Sequence, residues 1–208
     1  MRNAKLIFWD FDGVIKDTIE VKTKAFIVLF ESYGSDIVAL VKRHHEANGG
    51  MSRFDKIPMY MQWAGEKLLP SNIQVFQDQF SQLVFQAVID SPWVPGAEDF
   101  LKANLLQQIF VLVSATPQNE LEEILKALDL TNCFNAIYGA PNNKTKAIGD
   151  SLAAFSLDPK ECLMIGDSEI DHDAAMFNQV PFLLRSHDNN SKLFTSYTGP
   201  SLKNFVRL

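Results

Sequence analysis

An α/β fold built on a doubly wound, mainly parallel sheet is predicted by three observations. Short apolar runs recur along the chain, helical periodicity fills the spaces between them, and small polar clusters follow directly on their carboxyl ends. The runs are Leu6–Trp9 and residues 109–113, 134–138, 162–165 and 180–184. Each lacks polar alternation, as expected of strands covered by helices on both faces. Between the second and third, residues 117–130 repeat apolar side chains at Leu121, Ile124, Leu125 and Leu128. Thr116 is placed there as N-cap and Pro117 at the first helical position. Lys144–Phe155 repeats the pattern through Ile148, Leu152 and Phe155.

The interval between Trp9 and Ile109 is far longer than the dozen or so residues that a crossover between parallel strands needs. Its pattern is helical throughout. Val21, Ala25, Val28 and Leu29 mark one apolar face, and Ile73, Phe76, Phe80, Leu83, Val84, Ala87 and Val88 mark another. Residues 16–91 are therefore predicted to form an inserted helical domain, leaving 1–15 and 92–208 to build the sheet. Ser91-Pro92-Trp93-Val94-Pro95-Gly96 suits the return boundary. Because both connections leave beside Asp10 and Asp12, the insert is placed to act as a lid.

Composition narrows the class. The chain has 208 residues, 47% hydrophobic and 21% charged, enough for one large core or two modest ones. No apolar stretch approaches the roughly 18 residues that span a bilayer, and no secretory leader pattern opens the chain, so a cytoplasmic location is expected. A net charge of −6 without any lysine or arginine run argues against nucleic acid or an anionic membrane as partner. Cys133 and Cys162 lie in apolar surroundings and read as small buried hydrophobes.

Chemistry concentrates at the ends of the runs, where open α/β sheets collect ligands. Asp10-Phe11-Asp12-Gly13 follows the first, and its glycine permits the tight turn that presents both acids. Ser114 follows the second and could bind phosphoryl oxygens with its hydroxyl and neighbouring amides. Lys144 follows the third and offers a point charge, with Lys146 a nearby rival. Gly166-Asp167-Ser168-Glu169-Ile170-Asp171 ends the fourth with two carboxylates four residues apart. Taken singly these are a polar turn, a helix cap, a surface lysine and an acidic helix start. Their occurrence in order, each just past a strand, is what independent explanations do not cover.

This order resembles the haloacid dehalogenase superfamily of phosphohydrolases, and the resemblance covers essentially the whole chain. It implies a Rossmann-like core with a C1-type helical cap, similar to phosphoglycolate phosphatase and the β-phosphoglucomutase-like sugar phosphatases. By that resemblance Asp10 is the nucleophile that forms an aspartyl-phosphate. Asp12 protonates the leaving oxygen and then activates water, which calls for a raised carboxyl pKa. Ser114 and Lys144 hold phosphoryl oxygens, with Gly13 and Ala115 lining the substrate. Four carboxylates facing a phosphate require a divalent cation, and all-oxygen ligation points to Mg²⁺. Its implied ligands are Asp10, Asp167 and the Asp12 carbonyl, with Asp171 in support. Val14, Ala115 and Gln179 depart from common family residues without removing a reacting group.

Substrate choice is expected to fall to the insert, where residues 44–54 form a polar, glycine-containing interruption. Gly50-x-Ser52-Arg53 is similar to the cap loop of β-phosphoglucomutases, which implies that Arg53 faces the substrate; the alternative is a solvated arginine at an interhelical turn. His44 and His45 read as surface residues. The expected activity is Mg²⁺-dependent hydrolysis of a small phosphorylated metabolite, such as a sugar phosphate, by a monomer or homodimer. A phosphomutase would use the same residues. A phospho-accepting signalling domain and an inactive binding protein fit less well, given the long insert and the intact set of acids, hydroxyl and lysine.

Overall fold

The computed structural model describes residue 1 and residues 3–206. Among them lie six parallel strands and eight α-helices. The strands are β1 (Leu6–Trp9), β2 (Ile109–Pro117), β3 (Ala136–Ala140), β4 (Cys162–Gly166), β5 (Phe182–Arg185) and β6 (Ser201–Leu202). Their order is β3-β2-β1-β4-β5-β6, so the winding reverses between β1 and β4. Register follows from paired apolar positions: Trp9 lies opposite Leu112 on one side and Ile165 on the other.

The period of two along each strand divides the interior into two layers. Ile7, Trp9, Phe110, Leu112, Leu163 and Ile165 join one apolar cluster, whereas Leu6, Phe8, Val111, Val113, Cys162 and Met164 join the other. The second layer is closed by Ala147 and Ile148 of α7 (Lys144–Phe155) and by Ala174 and Ala175 of α8 (Glu169–Phe177). The first packs beneath α5 (Ala97–Ala103) and α6 (Gln118–Ala127) and continues into the insert.

The insert consists of α1 (Ile19–Phe30), α2 (Ser35–Ala47), α3 (Arg53–Trp63) and α4 (Pro70–Asp90). Phe26 and Phe80 lie with ring centroids 4.1 Å apart, tilted at 35°, and Tyr60 meets Phe26 edge-on at 5.3 Å. These rings are fully buried, each contributing roughly 1.5–3 kcal/mol of apolar transfer. The outgoing and returning chains run side by side. Asp17 N donates to Pro92 O at 2.8 Å, Val94 N to Ile15 O at 3.0 Å, and the Lys16 ammonium lies 4.4 Å over the Trp93 ring. No helix of the described residues is long and apolar enough to cross a membrane.

Several element boundaries differ from expectation. The third strand begins at Ala136 rather than at residue 134 and the fifth at Phe182 rather than at residue 180, because the preceding apolar residues Phe134 and Val180 are buried as loop anchors. Thr116 caps no helix: β2 runs on to Pro117, which pairs with Ala140 after a shift in register, and Pro117 takes the N-cap position of α6. β6, only two residues long, carried no periodic signal.

Candidate active site

The carboxyl ends of β1 and β4 flank the point where the winding reverses, and the acids gather there. Asp10 is 3% exposed; its amide donates to Ile165 O at 3.0 Å, and its Oδ1 accepts from Phe11 N at 2.8 Å. Gly13 takes φ +72°, and a side chain there would run into the Asp167 carboxylate. Glycine is thus needed for the turn and for the approach of the two acidic segments.

Lys144, the first residue of α7, places its ammonium 2.8 Å from Asp10 Oδ1 and 2.6 Å from Asp171 Oδ1. Lys146 instead pairs with Asp150 on the surface, so of the two lysines it is Lys144 that stands among the acids. Asp171 is wholly buried and accepts from the Ser168 hydroxyl at 2.6 Å while Ser168 caps α8, so it is fixed by the helix start. Asp167 accepts from His187 Nε2 at 2.9 Å, and Asn190 donates to the Asp167 carbonyl at 2.9 Å.

Charge sets the state of each group. Burial raises the Asp10 carboxyl well above its ordinary value, and Asp171 adds to that, against the pull of Lys144. Burial likewise raises Asp167 despite the His187 bond. For Lys144 burial alone would lower the ammonium, but Asp10 and Asp171 raise it, so it is a fixed cation. Carboxylate oxygens of Asp10, Asp167 and Asp171 lie within 4.8 Å of one another. Three hard oxygen donors with excess negative charge, two of them buried and Asp167 half-buried, are a donor set that suits Mg²⁺.

Asp12 departs from the expected raised pKa. Burial pushes its carboxyl up, but Lys22 and Thr18 outweigh it and hold the group below the ordinary value. Lys22 donates to Oδ2 and Thr18 to Oδ1, each at 2.6 Å, and the Thr116 hydroxyl reaches Oδ2 at 3.2 Å. All three partners went unnoticed in the sequence; two belong to the start of the insert, where lysine and threonine look like solvated helix surface. Ser114 is 1% exposed and its Oγ accepts from Thr116 N at 3.1 Å, so it also steadies the turn that carries Thr116.

The insert closes over these groups. Asp10, Asp12, Lys144 and Asp167 form the floor of a cavity of about 50 Å³, with Lys22, His45, Gly50 and Ala115 among its walls. A Cβ on Gly50 would lie 3.0 Å from Ser168 Cβ, and Ser52 Oγ donates to Ala115 O at 3.3 Å, so the loop rests directly on the core. His45 is buried rather than superficial: its ring lies tilted 4.8 Å from that of Phe26, and its Nδ1 is hydrogen-bonded with Lys56 Nζ at 2.9 Å. Arg53 is also displaced from expectation. It does not line the cavity; it is 5% exposed and donates to Glu120 Oε2 at 2.8 Å and Oε1 at 2.6 Å, and to Ser81 Oγ at 2.8 Å. Glu120 lies 67 residues away in sequence, beyond the reach of any local pattern.

Fold and site together define a doubly wound α/β protein with an acid-and-lysine cluster at its switch point, covered by a helical insert. The chain belongs to the haloacid dehalogenase-like hydrolases, whose family description matches residues 7–184. It is 25% identical over 160 residues to a phosphorylated carbohydrates phosphatase of Thermotoga maritima, covering 76% of this chain and 68% of that one. Among solved structures it resembles a β-phosphoglucomutase from Clostridium difficile, with a TM-score of 0.77, 19% identity, and 99% and 93% of the two chains covered. A predicted phosphoglycolate phosphatase from Haemophilus somnus gives 0.75 and 19%, over 98% and 95% of the chains. These two likenesses establish the fold.

Proposed function

We propose that this protein is a Mg²⁺-dependent phosphatase that hydrolyses small phosphate monoesters, a sugar phosphate or similar metabolite, through an aspartyl-phosphate on Asp10. One observation carries the reading: a buried carboxylate, Asp10, stands at the end of β1 with a fixed ammonium 2.8 Å away and a second carboxylate, Asp12, beside it. Family membership and the carbohydrate-phosphatase relative support the same activity.

The chain's own residues divide the work. Asp10 attacks phosphorus along the line opposite the leaving oxygen, and Lys144 and the Ser114 side chain neutralise and orient the equatorial oxygens. Asp12 gives a proton to the departing oxygen and takes one from the water that cleaves the acyl phosphate. Its low pKa in the free enzyme suits the second half. For the first half, the negative charge of an arriving phosphoryl group raises it, and movement of Lys22 or Thr18 away from it would raise it further. Mg²⁺, held by Asp10, Asp167 and the Asp12 carbonyl with Asp171 behind, would supply the positive charge that Lys144 and Lys22 cannot balance against four carboxylates. Residues 16–91 would serve as the lid that excludes water.

Hydrolysis is screened over phosphate monoesters with Mg²⁺ and again with chelator. Phosphate release that depends on Mg²⁺ is expected for small sugar phosphates and for aryl phosphates; absence of turnover across the panel with Mg²⁺ present would refute the proposal.

A further inference from the structure

Three helices of the insert meet around a polar pair that the chemistry above does not use. His45 lies in the last turn of α2, and its Nδ1 is hydrogen-bonded with the Nζ of Lys56 on α3; Phe26 of α1 lies against both, 4.8 Å from the imidazole and 5.8 Å from the Lys56 nitrogen. Among the described residues His45 is the only hydrogen-bond partner of the Lys56 side chain, which is fully buried. Burying a lysine beside a histidine, with no carboxylate to hold it, costs stability that two apolar residues would not. The imidazole in turn lines the active-site cavity together with Lys22, whose ammonium is committed to Asp12 Oδ2 and Thr116 Oγ. With Nδ1 tied to Lys56, Nε2 is the ring's one polar atom without a partner among the described residues.

We propose that His45 is a specificity residue for the leaving group: Lys56 donates to Nδ1, the ring therefore carries its proton on Nε2, and Nε2–H donates to an uncharged oxygen, a hydroxyl or carbonyl, on the part of the substrate that faces the insert. The inference rests on the phosphatase reading above and deepens it. In that reading Asp10 and Lys144 confine the phosphoryl group to the cavity floor and Asp12 addresses the departing oxygen, so the rest of the substrate points to the walls that the insert supplies. An ammonium can only donate, and a neutral amine still has N–H bonds to give, so Lys56 fixes the tautomer from behind the ring. Burial, with Lys56 and Lys22 adding to it against the pull of Asp12, holds the imidazole well below its ordinary pKa. The ring is thus a neutral donor, oriented before substrate arrives, and suits a hydroxylated carbon chain.

The test compares kcat/KM, with Mg²⁺, for glycerol 3-phosphate and for n-propyl phosphate, its counterpart without hydroxyls, using wild type, His45→Phe, His45→Gln and Lys56→Met. The intrinsic difference between the two esters cancels when their ratio is compared between proteins. His45→Phe is expected to shrink the preference for glycerol 3-phosphate by about tenfold, the scale of one hydrogen bond to an uncharged group. His45→Gln, whose amide can set an N–H where Nε2 stood, is expected to keep most of the preference. Lys56→Met removes the donor behind the ring and is expected to shrink it by about threefold. An unchanged ratio in His45→Phe overturns the inference, and so does a loss in His45→Gln as large as that in His45→Phe, since the shape of the ring and not its proton would then matter. An unchanged ratio in Lys56→Met overturns the tautomer and the inference with it. Should His45→Phe fail to fold, the Lys56→Met ratio decides, because that change relieves a buried amine. Absence of wild-type turnover on both esters and on p-nitrophenyl phosphate overturns the phosphatase reading and the inference together, whereas a wild type that turns over p-nitrophenyl phosphate but uses glycerol 3-phosphate no better than n-propyl phosphate overturns the inference alone.

Discussion

Two buried lysines, one in the core and one in the insert, have opposite fates. Lys144 is 6% exposed and sits between the carboxylates of Asp10 and Asp171; Lys56 is 1% exposed and meets the imidazole of His45 at 2.9 Å. Burial disfavours the charged form of both, yet the carboxylates raise Lys144 while Lys56 is pushed down to about 7 by burial, with Lys22 adding to the effect. Partners, not depth, decide whether a lysine is a fixed cation. The core site thus holds its charges paired and in place, whereas the insert encloses an amine that changes state near neutrality.

The sharpest way to break this contrast is to remove the core's nucleophile. Asp10→Asn deletes one of the two anions that hold Lys144 charged and leaves an amide that cannot attack phosphorus. Turnover is expected to fall by about 10³-fold or more with the fold retained, as checked by single-turnover phosphate release and thermal melting. Release at near wild-type rate would remove Asp10 from the chemistry.

Asp12→Asn should cost roughly 10²- to 10⁴-fold on alkyl phosphates and less on aryl phosphates, which leave without protonation. Equal losses on both would contradict the leaving-group role. Mg²⁺ affinity should survive, since the expected metal contact is the backbone carbonyl. Asp167→Ala is the complementary change. It deletes a half-buried oxygen donor, and calorimetry is expected to show Mg²⁺ binding weakened by about tenfold to a hundredfold, with activity partly regained at high metal.

The smallest effect belongs to the insert. The folded protein holds Lys56 at about 7 while an unfolded chain returns it to its ordinary value near 10.5, so between those limits the unfolded state binds more protons. Stability attributable to this group therefore rises with pH across that window, and the cost of neutralising it is greatest near pH 7. Lys56→Met should raise the melting temperature at pH 7 by more than at pH 9.5, the gain in unfolding free energy differing between the two by on the order of 1–3 kcal/mol. A pH-independent gain would show that Lys56 keeps its charge in the folded state.

What the sequence disclosed and what it withheld follow the same division. The cluster that Asp10, Asp12, Lys144, Asp167 and Asp171 form was legible because these residues follow apolar runs, where period and position agree, whereas Ser114, read the same way, lies buried outside the cavity lining. The groups that tune them were not. Lys22 reaches Thr116 across 94 residues and Arg53 reaches Glu120 across 67, and the insert's helices present these side chains with the periodicity of an ordinary polar face. His187 reaches Asp167 from a loop with no periodicity at all. The sign of the Asp12 shift was missed for this reason: a general acid suggests a raised pKa, but Lys22 and Thr18 are brought to it only by the packing of α1 over the sheet.

The central claim is that Asp10 carries the phosphoryl group between ester and water. Rapid acid quench of Asp12→Asn turning over p-nitrophenyl phosphate with Mg²⁺, followed by peptide mass spectrometry, tests it most directly, because loss of the water-activating carboxylate should let the acyl phosphate accumulate. A phosphoryl adduct on the peptide containing Asp10, absent when Asp10→Asn is added, is the predicted result; continued turnover with no adduct, or an adduct on another residue, would contradict the account.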